Sequence, residues 1–155
     1  MSPTCGLRVE CTLNAVAESF RVLGPRRMKT RTINPTDGIY QATSDYVHAI
    51  EVTDAARLLF VSGTMGLDEL GGAPESIEGQ LTLIWNNIRR ILAEANMTTD
   101  NIVRLTSYLR QRGFAEANAK ARTAALGDRR VPTTAIVAET LSSQWLVEIE
   151  VIAAA

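Results

Sequence analysis

The sequence predicts a single α+β domain in which two helices cover one face of a mixed β-sheet, with the elements in the order ββαβαββ. Two segments carry apolar residues at helical spacing, and strand-like segments lie before, between and after them. The length of 155 residues suits one compact core. Such a sheet, with helices packed on one side, is a common solution for this pattern of elements.

The first two strands are predicted on either side of a short polar link. Residues 46–52 alternate in polarity, and residues 58–64 form a run of apolar and β-branched side chains. Because the link 53–57 is turn-sized, the two strands are predicted to form a β-hairpin. A glycine-rich loop follows at 66–74.

The first helix is predicted over residues 77–95. Ser76 is suited to cap its beginning and Asn96 to end it in a left-handed conformation. Trp85 is interpreted as core or as packing between subunits. The apolar positions of this helix, spaced three or four residues apart, are Leu81, Ile84, Ile88, Leu92 and Ala95.

The second half of the chain completes the pattern. Residues 102–109 are strand-like, a second helix runs from Phe114 to Gly127, and Pro132 precedes a strand that contains Ile136 and Val137. The last strand is predicted at 146–152, where alternation puts Glu148 and Glu150 on one face. The sheet face away from the helices is predicted to be apolar and uncovered. A closed homo-oligomer would bury it.

Composition narrows the function. With 16 Lys and Arg against 17 Asp and Glu, the net charge of −1 argues against nucleic acid or an anionic membrane as a partner. No apolar run approaches the roughly 18 residues of a membrane-spanning helix. Cys5 and Cys11 have no companion ligands for a metal, and no phosphate-binding glycine motif is present. We therefore expect a cytoplasmic protein without metal or organic cofactor.

The predicted domain occupies residues 28–155. Residues 1–27 are interpreted as an N-terminal extension, because prolines and glycines flank a modestly amphipathic stretch at 13–23. One hypothesis is that this stretch packs as a short helix on a neighbouring subunit.

Several phrases of the sequence carry a family resemblance. They occur in order at 59–63 (LFVSG), 77–80 (IEGQ), 87–88 (NI), 114–118 (FAEAN) and 146–153 (LVEIEVIA). Over about residues 33–154 the chain resembles the RidA/YjgF-like family, the reactive intermediate deaminases. The resemblance implies a chorismate-mutase-like fold and a homotrimer, in which the sheets enclose a central barrel and small-molecule clefts lie between subunits.

The resemblance also implies site residues. The family's cleft uses a tyrosine of the first strand, the backbone of a Ser-Gly pair, an asparagine of the second helix and a glutamate of the last strand. The matching residues here are Tyr46, Ser62, Gly63, Asn118 and Glu148. Among these, Glu148 and Tyr46 are the expected catalytic residues, acting in acid–base chemistry and in hydrogen bonding to a carbonyl.

Three further residues are candidates for the site. His48 is expected on the same strand face as Tyr46 and is a third catalytic candidate. Trp145, just before the last strand, is expected to stack on a planar ligand. Ile136, on the strand after Pro132, is placed with the substrate-binding residues. For His48, as for Glu148 and Tyr46, a structural role remains an alternative.

One family residue is missing. Members of the family carry an arginine after the proline of the fourth strand, where it clamps the substrate carboxylate through two charge-assisted hydrogen bonds. This chain has threonine there, either Thr133 or Thr134 depending on the register, and is identified as an arginine-less, divergent member. Whether another arginine replaces it stays open. The candidates near the turns are Arg110, Arg112, Arg129 and Arg130.

The missing arginine shapes the expected function. Threonine hydroxyls suit a ligand without a carboxylate, so the sequence favours an enzyme that guides hydration, tautomerisation or cyclisation of a labile imine, enamine or keto intermediate in a metabolic pathway. A divergent imine or enamine deaminase and a non-catalytic ligand-binding trimer are the alternatives. Ribonuclease activity, sometimes attached to this family, is the least supported because the chain has no basic stripe and few aromatic residues.

Overall fold

The computed structural model describes residues 27–155, so the predicted extension lies almost entirely outside the described residues. The elements follow the order βββαβαββ, which confirms the predicted α+β class and adds one strand at the beginning. Their bounds are β1 Lys29–Ile33, β2 Ala49–Thr53, β3 Leu58–Met65, α1 Ile77–Glu94, β4 Ile102–Leu109, α2 Ala115–Leu126, β5 Thr133–Val137 and β6 Val147–Ala154.

Four strands form the main sheet in the order β3-β6-β4-β5. Strand β6 pairs antiparallel with β3 and β4, whereas β4 and β5 are parallel, so the sheet is mixed as predicted. The parallel pair is joined by α2, which is the usual crossover for such a connection. Among the described residues, β3 and β5 are the two edges of this sheet.

The predicted hairpin between the first two strands is wrong. Strand β2 begins at Ala49 rather than at Tyr46 and pairs with β1 in a separate two-stranded sheet. After Asp54, which has a positive φ of 57°, the backbone N–H groups of Ala56 and Arg57 donate to the carbonyl of Ala155 at 2.8 and 2.9 Å. These bonds hold the link beside the end of β6, so that β3 pairs with β6 and not with β2.

The ends of α1 follow the sequence signals. The Ser76 hydroxyl accepts a hydrogen bond from the Gly79 N–H at 3.2 Å, which satisfies one of the free donors of the first turn. Asn96 takes a positive φ of 54° just after the helix, as predicted for its stop. The helix ends one residue earlier than predicted, at Glu94.

The hydrophobic core lies between the two helices and one face of the main sheet. The apolar positions predicted for α1 face it, and Trp85 is buried with them. Three alanines of α2, Ala117, Ala121 and Ala125, pack against this cluster. From the sheet, the buried residues are Val61, Ile102, Leu105, Leu109, Val147, Ile149, Val151 and Ala153.

The other face of the sheet is not the apolar surface that the sequence predicted. Alternation along β4 and β6 places charged and hydroxyl-bearing side chains on it, beside the exposed Phe60. We refer to it as the open face. Its residues on the three strands β3, β6 and β4 are Phe60, Ser62, Glu148, Glu150, Ile152, Arg104, Thr106 and Tyr108.

Candidate functional site

The open face is organised in rows that run across the strands, because residues paired in register point to the same side of a sheet. Three rows can be followed from β3 or β6 to β4 and β5. They are Phe60, Ile152 and Arg104; then Glu150, Thr106 and Thr134; then Met65, Glu148, Tyr108 and Ile136. The first row, together with Glu150 and Thr106 of the second, lines a cavity of about 240 Å³.

The cavity places a cation and an anion near each other. Arg104 and Glu150 both line it, together with Ser62 and Thr106. Phe60 and Ile152 add an apolar flank. The arrangement offers a small molecule opposite charges, hydroxyl groups and an apolar contact within one depression.

A β-bulge lies at Ser62 and Gly63. The pairing of β3 with β6 shifts between Val61 and Thr64, so these two residues face Glu150 alone. Bulges interrupt the ladder and are enriched beside active sites. A side chain at Gly63 would meet the Glu148 carboxylate, since an added Cβ would lie 1.7 Å from its Oε1. The structure therefore brings three predicted site residues together, with the Glu148 carboxylate against the backbone of the Ser-Gly pair.

Tyr108 lies beside the two carboxylates of β6. Its hydroxyl donates to Glu150 Oε1 at 3.2 Å, and Glu148 is its partner in register. Loss of contact with water raises the pKa of the Tyr108 phenol, and the hydrogen bond to Glu150 and the negative charges of Glu150 and Glu148 raise it further, whereas Arg104 opposes them. The phenol is thus held neutral as a hydrogen-bond donor.

The register of β5 distinguishes the two threonines at the position of the missing arginine. Thr134 pairs with Thr106 and lies on the open face, where its hydroxyl is 3.3 Å from Arg104 Nη2. Thr133 pairs with the buried Leu105, and its hydroxyl donates to the Val131 carbonyl at 3.1 Å. Thr134 is the threonine that the open face can use.

Three of the four candidate arginines near the turns are engaged elsewhere. Arg110 donates to Thr140 and to the Ser142 carbonyl, and Arg129 donates to the carbonyls of Thr99 and Ile102. Arg130 donates to the Ser44 and Gly127 carbonyls, and Arg112 lies in an exposed turn before α2. The arginine that reaches the open face is Arg104, which the sequence reasoning missed.

Tyr46 and His48 lie together, in the segment before β2. Their ring centroids are 6.0 Å apart, and His48 also stacks edge-on with Tyr40 at 5.0 Å. The His48 Nε2 is 2.9 Å from the Tyr40 carbonyl oxygen. Burial and the neighbouring Tyr40 raise the pKa of the Tyr46 phenol. Neither residue lines the cavity of the open face within one chain.

This segment is anchored to α2 rather than to the open face. Asp45, next to Tyr46, forms an ion pair with the buried Arg122. A hydrogen bond from Thr43 and the positive charge of Arg122 hold the pKa of Asp45 below its ordinary value, against the opposing effect of burial. The catalytic roles predicted for Tyr46 and His48 remain predictions.

Two other predicted residues lie away from the open face. Asn118 is buried on α2, on the helix side of the sheet, where its Oδ1 accepts from the Ser107 hydroxyl at 3.2 Å. Trp145 is half-buried in the loop before β6, and its carbonyl accepts from the Thr140 hydroxyl at 2.7 Å. Ile136 is on the open face, exposed at its β5 edge beside Tyr108.

The part of the chain that the structure describes holds neither a metal-binding cluster nor a membrane-spanning helix. In the part of the chain from residue 27 onward, no group of three or more His, Cys, Asp and Glu side chains is arranged to hold a metal ion. Neither of the two helices described has the length and apolarity needed to cross a membrane.

Comparison with known proteins gives consistent findings. The model of the family described as Endoribonuclease L-PSP matches residues 38–155. A RutC family protein from Aquifex aeolicus is 37% identical over 65 residues, which make up 41% of this chain and 50% of the relative. The chain thus spans about half the length of that curated relative.

Solved structures extend the likeness to the fold. A protein of the conserved Rid family from Yersinia pestis is 23% identical with a TM-score of 0.70, over 81% of this chain and 98% of that chain. RidA from the Antarctic bacterium Psychrobacter is 22% identical with a TM-score of 0.62, over 81% of this chain and all of that chain (100%). At these identities the likeness shows a shared fold.

Proposed function

This chain belongs to the Endoribonuclease L-PSP family as a RidA/YjgF-like member, and we propose that it is an enzyme that hydrolyses a small, labile imine or enamine intermediate at the open face. The family membership is consistent with a role in small-molecule metabolism. The reaction class is proposed from the groups on the open face.

The observation that carries the proposal is the position of the Glu148 carboxylate against Gly63. A carboxylate next to a bulged strand edge can receive and return a proton, while nearby backbone N–H groups can bind a carbonyl or imine. The neutral Tyr108 phenol and the Ser62 hydroxyl add donors on the same face. A purely structural carboxylate would be expected to have a cationic partner, and Glu148 forms no ion pair among the described residues.

The chemistry needs only water and the acid–base group. Water adds to the carbon of the C=N bond while Glu148 takes one of its protons and delivers it to the nitrogen. Glu148 then takes the hydroxyl proton of this intermediate and passes it to the amino nitrogen as the C–N bond breaks. Imine and water thus give a carbonyl compound and ammonia, and an enamine enters the same route after protonation at carbon.

The site is proposed to be completed by neighbouring subunits in a homotrimer. The bulge with Ser62 and Gly63 is on β3 and Thr134 is on β5, and these strands are opposite edges of one sheet. Three inter-strand spacings of about 4.8 Å each separate these two strands by roughly 14 Å. A cleft between the β3 edge of one copy and the β5 edge of the next would bring them closer, and could also supply Tyr46.

A ribonuclease function, which the family description names, has less support. The chain has a net charge of −1, and the open face carries Glu148 and Glu150 as well as Arg104. Binding of RNA depends mainly on positive charge and on aromatic stacking platforms.

The direct test generates the labile intermediate within the assay itself. The protein is added to an enzyme that forms 2-aminoacrylate from serine, and the rate of pyruvate release is measured. We expect acceleration over spontaneous hydrolysis, and Glu148→Gln should reduce the accelerated part by about a hundred-fold or more, because general acid–base groups contribute on this order.

Glu94→Gln is the matched control, since Glu94 is an exposed carboxylate at the end of α1. It should leave the rate unchanged. Acceleration that survives Glu148→Gln would remove Glu148 from the reaction. A wild-type protein that binds pyruvate but never accelerates its release would be a ligand-binding protein, and the proposed enzyme function would be wrong.

A further inference from the structure

We propose that residues 13–23 pack as an amphipathic helix in the groove between α1 and α2 of the same chain, rather than on a neighbouring subunit. The segment lies before the residues that the structure describes and before residue 38, where the match to the family model begins. Such a contact would be a feature that this chain adds to the family's common domain.

The groove has a lining that suits another helix. It has a volume of about 760 Å³ and lies on the helix side of the molecule, with Leu81 and Trp85 of α1 on one wall. Alanines form the other wall, and small side chains let helices approach closely. These alanines are Ala117, Ala121, Ala124 and Ala125.

Trp85 gives an observation that is independent of the shape of the groove. Its side chain is only 3% exposed, and its indole Nε1 has no hydrogen-bond partner among the described residues. A buried N–H group without an acceptor costs free energy, so we expect its acceptor to come from outside the described residues. Because Trp85 lines the groove, a segment that occupies the groove would be next to it.

The segment carries one apolar side and polar residues beside it. Its apolar positions, spaced three or four residues apart, are Leu13, Val16, Phe20 and Leu23. At the same helical period, Asn14 and Ser19 flank this side and offer side-chain oxygens as acceptors. A helix this short is marginal in water by itself, so it needs a surface against which to bury its apolar side.

The lengths of the segment and the groove agree. Residues 13–23 would span about 16 Å as an α-helix. The groove follows α2 from Gly113 to Ala125, which is about 18 Å, and α1 from Glu78 to Arg89, which is about 16 Å. The segment therefore fills the groove from end to end without extending beyond it.

The described chain begins on the side of the molecule where α1 ends. Lys29, the first residue of β1, pairs in register with Thr53. Shortly after Thr53, Arg57 donates from its Nη1 to the carbonyl of Ala95, the residue that follows α1, at 2.8 Å. The segment before β1 thus reaches the helices from the end of α1.

This attachment sets the direction of the segment. Residues 24–28 include Gly24 and Pro25, which suit the end of a helix, and can span up to about 17 Å when extended. Leu23 should then lie near Arg89 and Leu13 near Glu78, so that the segment runs parallel to α1.

Amide hydrogen exchange of the full-length protein tests the docking. Peptic peptides that cover residues 13–23 should exchange about ten-fold or more slowly than a synthetic peptide of the same residues. Val16→Asp puts a charge on the apolar side and should return the exchange to the rate of the synthetic peptide. Val22→Asp is the matched control, since Val22 lies on the opposite side of the proposed helix, and it should keep the protection.

The groove is tested from its other wall. Ala124 is exposed and lies outside the core cluster, so Ala124→Arg should fill the groove without disturbing the fold and remove the protection of residues 13–23. Ala115→Arg, at an exposed position of α2 that does not line the groove, should leave the protection unchanged. In every variant, protected amides in β4 and β6 report that the domain is folded.

A disulfide cross-link tests the direction and the chain. With Cys5→Ser, the one remaining thiol is Cys11, two residues before the segment. Oxidation should link Cys11 within one chain to the thiol introduced by Glu78→Cys, but not to the one introduced by Arg89→Cys. A non-reducing denaturing gel separates a link within one chain from a dimer-sized product.

The proposal is overturned if the wild-type segment exchanges at the rate of the synthetic peptide, if Val16→Asp and Val22→Asp act alike, or if Ala124→Arg leaves the protection intact. A dimer-sized product with Glu78→Cys would place the segment on another copy of the chain and overturn the docking in the same chain. A cross-link with Arg89→Cys instead of Glu78→Cys would overturn the direction.

Discussion

The helix-covered face and the open face of the main sheet are built from alternate residues of the same strands, but their side chains differ in kind. On β6, Val147, Ile149 and Val151 are buried under the helices, whereas Glu148 and Glu150 lie between them on the opposite side. Successive residues of one strand therefore point alternately into the core and toward the open face.

Because the two faces differ in this way, stability and function can be separated in this molecule. Buried apolar side chains contribute through transfer from water and through packing, and their loss is costly wherever neighbours cannot close the gap. Charged and hydroxyl-bearing side chains on a partly solvated face contribute little to folding, but they determine what the face can bind. Substitutions on the covered face should therefore lower the free energy of unfolding, whereas substitutions on the open face should mainly change binding and titration.

The largest loss of stability is expected on the covered face. Ile88 on α1 is fully buried in the core, so Ile88→Ala should lower the free energy of unfolding by about 2–5 kcal/mol, measured by urea denaturation. Ile91, one turn along the same helix and 39% exposed, is the control, and Ile91→Ala should cost about 1 kcal/mol or less. Equal losses for the two variants would mean that the core does not lie between α1 and the sheet.

A smaller loss is expected from the polar pair buried on the covered face. Asn118→Ala removes the acceptor of the Ser107 hydroxyl and should cost about 1–3 kcal/mol, because a buried donor is left without a partner. Ser107→Ala combined with Asn118→Ala should cost less than the sum of the single changes. Additive losses would show that the two residues are not coupled.

The same variant tests the role that the family resemblance assigns to Asn118. If Asn118 is only structural in this chain, Asn118→Ala should leave the affinity for pyruvate unchanged once the protein is folded. A loss of affinity at full folding would instead return Asn118 to the binding site and require a rearrangement of α2.

The helices and the last strand could be predicted from the sequence because their signals are local. Ser76 and Asn96 mark the ends of α1 through their own backbone preferences, and the spacing of Ile84 and Ile88 identifies its buried face. The common face of Glu148 and Glu150 follows from alternation alone.

The pairing of the first strands could not be predicted in this way. Strand β1 has the sequence KTRTI, in which four of five residues are polar and exposed, so no apolar alternation marks it. The hairpin prediction failed because hydrogen bonds to Ala155, about a hundred residues along the chain, decide where the link after β2 goes.

The site residues that were matched to the family, Glu148 and Gly63 among them, remain predictions. The sequence offered candidate arginines only at turns close to Pro132. Arg104 comes beside Thr134 through the parallel register of β4 and β5, which local sequence does not encode. The available signal was the alternation of Arg104, Thr106 and Tyr108 with the buried residues between them.

The smallest effect is expected on the open face and involves charge rather than packing. Because partial burial and Glu150 raise the pKa of Tyr108, Glu150→Gln should lower that pKa toward the ordinary value for tyrosine. A tyrosine whose pKa is raised on folding contributes stability that is present below its unfolded pKa and is lost as the pH rises through the folded value. The stability of the wild type should therefore fall more steeply in alkaline solution than that of Glu150→Gln.

The measurement is an ultraviolet titration of the phenolate in a Tyr40→Phe, Tyr46→Phe background, since the chain has three tyrosines and Tyr108 is then the only one left to titrate. Glu94→Gln, which removes a carboxylate from the far end of α1, should not shift the titration. An unchanged titration in Glu150→Gln would mean that Tyr108 does not hold the Glu150 carboxylate. The open face would then lack the fixed anion that separates it from the covered face, and Glu150 would be free to pair with Arg104 and close the cavity to a ligand.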